Sequence, residues 1–229
     1  MSARIREDQN PEKLLKSVLA DKLRRKILRG ELRPGDRVVE NRWAREFQVA
    51  QASVREAINI LIQDGFVSKA EGRSARVTNL TKDDVLLLYE LRGALEGLAA
   101  RRAAELGADL SQLQNALQAM RAAAKKNDME ALLDAELAFH LSLVASGGNK
   151  YVIDQARRIL VPFFAFVRIR VMGSGQGADA WNRDLEIHGR ILDLIQDGEA
   201  EIAERFLHRA MARFAANAYE NWEKKSSSN

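Results

Sequence analysis

The sequence predicts a mainly α-helical protein with a small basic head and a larger helical body. Three observations lead there: only 3 Pro and 14 Gly in 229 residues, amphipathic helical periodicity over most of the length, and a charge balance that changes sign along the chain. Residues 1–80 hold 17 Lys and Arg against 11 Asp and Glu, a net of +6, whereas residues 81–229 hold 19 against 21, a net of −2. A basic small domain on a slightly acidic larger one suits a polyanion-binding head joined to a body with another task. The absence of cysteine removes disulfides, thiolate metal sites and cysteine nucleophiles from consideration. No apolar run approaches the roughly 18 residues of a membrane span, and the charged start lacks the apolar stretch of a signal peptide. The expected location is therefore the cytoplasm, with no membrane partner.

Residues 12–29, EKLLKSVLADKLRRKILR, place Leu15, Val18, Leu19, Leu23, Ile27 and Leu28 near one stripe of a helix that Gly30 closes. LRPGDRVVE then supplies a Pro34-Gly35 turn and a short extended piece. A second helix is expected at about Glu40 to Phe47. A third follows in QASVREAINILIQDGFV, where Val54, Ala57, Ile58 and Leu61 recur at helical spacing and Asp64-Gly65 ends the run. FVSKA and ARVTN read as two short strands with Gly72 at the tip between them. Three helices followed by a hairpin are the order of a winged helix-turn-helix, assigned to residues 1–79.

Thr81 reads as the N-cap of a long helix, with Asp83 and Asp84 matching the helix dipole in its first turn. From there only helices are predicted, at about 81–106, 110–126, 128–146, 149–172, 179–197 and 199–223. Six helices with short connections make an antiparallel bundle over residues 80–229. GSGQG at residues 173–177 follows a helix and no strand, so it reads as an inter-helix loop and not as a phosphate loop or nucleophile elbow.

The first turn of the third helix crowds Gln51, Ser53, Arg55 and Glu56 together while the rest is apolar. In a helix-turn-helix the second helix enters the major groove by its N-terminal end, which accounts for that polarity. Asn41 and Arg42 start the preceding helix and Arg45 follows one turn later. Arg73 stands beside Gly72 at the wing tip, where glycine permits close backbone approach. These are candidate phosphate contacts. In the body, Glu136 and His140 are four residues apart on an apolar stripe with Leu133, Leu137 and Val144. His188 shares a face with Leu185, Ile191, Leu192 and Ile195. A carboxylate and two imidazoles converging between helices can hold one divalent ion per subunit, zinc, nickel or manganese, with an open position; the alternative is that the histidines are satisfied by core hydrogen bonds or bind an effector directly. Arg92 lies on the inward line Val85, Leu88, Arg92, Leu95, Ala99, with Glu96 one turn on. Buried there, it needs that glutamate or a carboxylate ligand as partner. Arg168 and Arg170, in FVRIRVM, are further candidates of the same kind.

The run ILRGELRPGDRVVENRWAREFQVAQASVREAINILIQDGFV, followed by GRSARV and LYELRGALEGLAARRAAE, resembles the GntR family of bacterial transcription regulators. The C-terminal part is similar to its FadR-type branch with an FCD domain, in the six-helix, VanR-like form. The likeness spans about residues 12–220. It implies a homodimer on a double-stranded DNA operator of two-fold symmetry, controlled by a small carboxylate effector such as an organic or sugar acid. Arg55 matches the family's expected arginine, suited to guanine O6 and N7, the alternative being a salt bridge to a carboxylate such as Glu56 or to a neighbouring helix. Relatives commonly read GVSRTPVRE where this chain reads QVAQASVRE, so Gln48 replaces glycine, Gln51 replaces arginine, and Ala52 and Ser53 replace the following pair. A different recognised sequence is implied, since Gln51 suits adenine. Many FCD relatives bind metal through an aspartate and three histidines. Here Glu136 stands for the aspartate and Ala210 for the last histidine, leaving His208 two residues earlier on another side of its helix. The rival readings are a helical metal-dependent hydrolase using Glu136, His140 and His188, which leaves the winged head without a purpose, and an architectural DNA-binding protein, which leaves the inward polar groups unexplained.

Overall fold

The computed structural model describes residues 11–70, 73–172 and 182–226, which form two compact units. The first contains residues up to 79 together with the end of a later helix from 165. The second contains residues 80–164 and the C-terminal helices. Gly72 and the segment GSGQG lie outside the described residues.

The first unit is built on α1 (Pro11–Leu28), α2 (Glu40–Phe47) and α3 (Gln51–Gln63). Leu19, Leu23 and Ile27 of α1 meet Val54, Ala57, Ile58 and Leu61 of α3 and Trp43 of α2 in one buried cluster, which Ala165 and Ile169 also join. Leu15 and Val18, expected on the same stripe, are instead exposed at the start of α1. The strands are also shorter than expected. β1 (Val67–Ser68) pairs antiparallel with β2 (Arg76–Val77) through Val67 opposite Val77 and Ser68 opposite Arg76. β2 is held on its other side too: Arg37 bridges to Arg76, and Val38 N–H donates to the Ala75 carbonyl at 2.8 Å. The extended piece reaches that edge through the Pro34-Gly35 turn, in which Gly35 takes φ 86° and Asp36 N–H donates to the Arg33 carbonyl.

The second unit contains α4 (Lys82–Leu106), α5 (Ser111–Lys125), α6 (Met129–Ser146), the first part of α7 (Lys150–Met172), α8 (Asn182–Gln196) and α9 (Ala200–Ser226). Thr81 caps α4 as expected, in a capping box with Asp84. α4 runs antiparallel to α9, and its small residues set how close they come. A Cβ at Gly97 would lie 3.2 Å from the His208 ring, and one at Gly93 would lie 3.5 Å from Met211 Cβ. His208 is thus exposed, as its position predicts, yet lies over two glycines of α4. The end of α6 also comes close to α4: a Cβ on Gly147 would stand 2.8 Å from the Ala99 backbone, and Arg102 Nε donates to the Gly147 carbonyl. Leu113, Leu117, Met120, Leu132, Phe139, Leu143, Ile191 and Leu207 fill the core.

Candidate functional site

In the first unit the candidate DNA-facing residues are gathered by the α2–turn–α3 geometry. Gln48, standing where relatives have glycine, ends α2 in the left-handed region at φ 55°. The chain then reverses, with Val49 N–H donating to the Ala44 carbonyl. The N-cap of α3 is Ala50, which offers no side-chain acceptor to the first-turn amides. An open concavity of about 450 Å³ lies over this turn, lined by Asn41, Ala44, Arg45, Gln48, Val49 and Ala50. Asn41, Arg42, Arg45, Gln51, Ala52, Arg55 and Arg73 are exposed and Ser53 is half-buried, while Val54, Ala57, Ile58 and Leu61 are buried behind them. Arg42 lies over the Trp43 ring, and Arg45 Nε donates to the Asn41 carbonyl. Arg55 pairs with Glu40 of the neighbouring helix, with Nη2 at 2.9 Å from its Oε2. Sequence spacing did not identify Glu40 as this partner.

In the second unit a polar cluster sits inside the bundle. Arg92 and Glu96 of α4, His140 of α6 and His188 of α8 are all buried, at 3%, 0%, 1% and 1% exposure. Arg92 Nε donates to Glu96 Oε1 at 2.8 Å, and the other Glu96 oxygen bonds to His140 Nδ1. Burial alone would raise the Glu96 carboxyl, but His140 and Arg92 outweigh it and hold Glu96 at about 2. An ionised Glu96 can only accept, so His140 Nδ1 carries the proton and its Nε2 offers a lone pair. His188 Nδ1 bonds to the Asp184 carbonyl, which fixes the same tautomer there. Burial lowers both imidazoles, His188 to about 3, so His188 is neutral. The two Nε2 atoms face one another at 3.2 Å, with Arg92 Nη2 also 3.2 Å from that of His140.

Glu136 completes the set. One ligand atom from each of Glu136, His140 and His188 lies within 4.8 Å of the others. Glu136 Oε2 is enclosed without a hydrogen-bond partner, and burial pushes the carboxyl up to about 8. The two imidazole nitrogens and the Glu136 oxygen are the donor set of a divalent cation, which would take the His140 lone pair from Arg92. The groups behind the imidazoles, Glu96 and the Asp184 carbonyl, orient them as outer partners of metal ligands do. Tyr89, Phe163 and Phe164 surround the Arg92 guanidinium at 5.3, 4.7 and 4.9 Å, an aromatic wall that helix spacing alone did not reveal. Arg168 and Arg170 do not share this placement. They follow Ala165 in the first unit, and both are half-buried, with Arg170 over the Phe166 ring.

A helix-turn-helix with an exposed, polar-fronted second helix, carried with a helical bundle, defines a DNA-binding regulator. The chain belongs to the GntR family of bacterial regulatory proteins: that family's model matches residues 15–77 and the FCD domain model matches residues 87–217. Among relatives, the chain is 25% identical over 220 residues to the "Probable D-xylose utilization operon transcriptional repressor" of Paenarthrobacter nicotinovorans, covering 93% of this chain and 95% of that one. It is 23% identical over 194 residues to the gluconate operon transcriptional repressor of Bacillus licheniformis, covering 83% and 79%. A solved GntR transcriptional regulator from Rhodococcus sp. RHA1 shares the fold, with TM-score 0.69 at 24% identity over 89% of this chain and 96% of that one. The protein is a transcriptional regulator, and the hydrolase reading of the Glu136 cluster is set aside because family and relatives are regulators and not enzymes.

Proposed function

We propose that the protein is a cytoplasmic, dimeric repressor whose head, residues 1–79, binds a two-fold symmetric operator. Its body, residues 80–229, binds a small organic or sugar acid that releases the DNA. The observation that carries the effector reading is the pair of imidazole lone pairs 3.2 Å apart beside the orphaned Glu136 oxygen, with a buried arginine at the same place. Glu136, His140 and His188 would hold a divalent ion such as zinc, nickel or manganese, which when bound supplies a Lewis-acid point for a carboxylate or hydroxyl oxygen. Arg92, enclosed by aromatic rings and kept charged by Glu96, would pair with the acid's carboxylate. Ala210, small and buried where many relatives carry the last histidine, leaves the ion a position for the effector. The gluconate operon named for one relative supports a sugar acid.

In the head, Arg55 would grip guanine, Gln51 adenine, and Ala52 and Ser53 would lie against the bases. Asn41, Arg42, Arg45 and Arg73, with the glycine at position 72, would take phosphates. Dimerisation is supported by an exposed seam on α4. Leu87, Leu91, Ala94 and Leu98 face solvent at spacings of four, three and four residues, the pattern of helices that pair. A thermal-shift screen of small carboxylates, run with chelator and with added divalent ions, tests the sensor. Stabilisation by an acid that also lowers operator affinity is expected, and no response in any metal state refutes it. Arg55→Ala should abolish specific operator binding, and unchanged affinity in a mobility-shift titration refutes the base contact.

A further inference from the structure

Arg55 and Gln51 do not stand alone in front of α3. Four residues apart, they share one face of the helix, and both donate to a single carboxylate, that of Glu40 at the first position of α2. Gln51 Nε2 lies 2.9 Å from Glu40 Oε2. Arg55 approaches by its Nε edge, with Nε at 3.1 Å from both oxygens and Nη2 at 2.9 Å from Oε2. The Glu40 side chain is 24% exposed and that of Arg55 57%, so the acid is partly covered while the guanidinium still reaches outward. Lys69, just after β1, adds a second positive charge facing Glu40.

A glutamate in the first turn of a helix has a plain explanation in the helix dipole. The dipole alone does not bring donors from a second helix onto both of its oxygens. A guanidinium has two usable edges. Held side-on through Nε and Nη2, it keeps the end-on pair of N–H groups pointing forward, and that edge matches guanine O6 and N7. An amide tied to a carboxylate through one N–H is likewise fixed as to which end is donor. Its carbonyl and second N–H remain for adenine N6 and N7.

We propose that Glu40 is a positioning residue for base recognition: one carboxylate at the start of α2 holds Arg55 side-on and orients the Gln51 amide, so that both show a fixed donor and acceptor pattern to the major groove. The proposal rests on the reading of α3 as the helix that enters DNA. It also has a cost, because a negative charge in the contact face opposes phosphate and lowers affinity for any sequence.

The test uses full-length wild type, Glu40→Gln, Glu40→Asp and Arg55→Ala. Each is selected on a duplex pool randomised over two half-sites and titrated on one fixed scrambled duplex. Glu40→Gln should lower the preference at the Arg55 and Gln51 positions by about tenfold. Its affinity for the scrambled duplex should hold or rise, since a negative charge is gone. Glu40→Asp keeps the charge at the helix start but is one methylene too short to span both donors, so it should lose part of the preference and keep the scrambled affinity. That variant decides the matter if Glu40→Gln is poorly folded. Unchanged base preferences in both Glu40 variants overturn the proposal, as does a parallel loss on both DNAs with a lowered unfolding temperature, the mark of a merely structural role. If Arg55→Ala also retains the wild-type motif, the reading of α3 itself fails, and the proposal with it.

Discussion

Replacing Glu136 with glutamine should stabilise the metal-free protein, and the gain should depend on pH. Burial pushes the Glu136 carboxyl from 4.5 up to about 8, against the pull of Arg92. A carboxyl whose folded value lies above its unfolded one contributes fully below the unfolded value, and that contribution is lost as pH rises through the folded value. The window therefore opens at 4.5 and closes at about 8. At about 1.36 kcal/mol per pH unit, ionisation across it weakens the folded state by at most about 5 kcal/mol, a figure that site relaxation and entering water reduce. A neutral amide of the same size escapes that loss. Thermal unfolding in chelator should find variant and wild type nearly equal around pH 5, with the variant higher by roughly 5–10 °C around pH 9. Added zinc should stabilise the wild type more than the variant, since an amide is a poor ligand for it. A variant no more stable than wild type at the alkaline end, or a gain independent of pH, would refute the account of a carboxyl with one oxygen enclosed and unpartnered.

Four further outcomes follow from named contacts. Glu96→Gln strips Arg92 of its buried counter-charge and should destabilise the protein by about 3 kcal/mol in urea unfolding at neutral pH. Because Glu96 is held at about 2 instead of 4.5, that difference should persist above pH 4.5 and fade as pH falls towards 2. Gly147→Ala drives a methyl to 2.8 Å from the Ala99 backbone and should lower the urea midpoint by the equivalent of about 1–3 kcal/mol. Gln48→Gly removes a side chain from a residue at φ 55° and should raise head stability by about 0.5–1 kcal/mol in thermal unfolding, relief of left-handed strain exceeding the entropy glycine adds to the unfolded chain. Leu91→Glu places a charge in the α4 seam and should yield a monomer by sedimentation equilibrium, with an unchanged circular dichroism spectrum.

Apolar periodicity and capping chemistry make most of the fold legible without coordinates. Leu19, Leu23 and Ile27 on one side and Val54, Ala57, Ile58 and Leu61 on the other declare a packed pair of helices, and the structure buries all seven. Thr81 and Asp84 declare where the body begins, through a cap that needs only three residues of context. Helical spacing also brings Glu136 to His140 and Arg92 to Glu96, because each pair is local. It does not express contacts across a turn or between distant helices. Glu40 is 11 and 15 residues before Gln51 and Arg55, and Glu96 is 44 before His140, so only packing brings them together. Nor does spacing distinguish an apolar stripe turned inward from one turned out. On α4 the Leu87–Leu98 seam is exposed beside the buried Arg92 and Glu96, the reverse of simple partition by polarity. Arg168 and Arg170 were legible as charges on an apolar helix, but the unit to which that part of α7 belongs was not.

The carboxylate of Glu40, shared by Gln51 and Arg55, has an evolutionary consequence. Two side chains that draw on one acceptor do not change independently, so a substitution at position 51 alters how firmly Arg55 is held, and effects at the two positions will not add. An arginine at 51 would compete for the same two oxygens. The glutamine found here leaves more of that acid to Arg55. Divergence of DNA preference in this lineage would then proceed by paired exchanges around position 40, with single changes along α3 often carrying less discrimination than either endpoint.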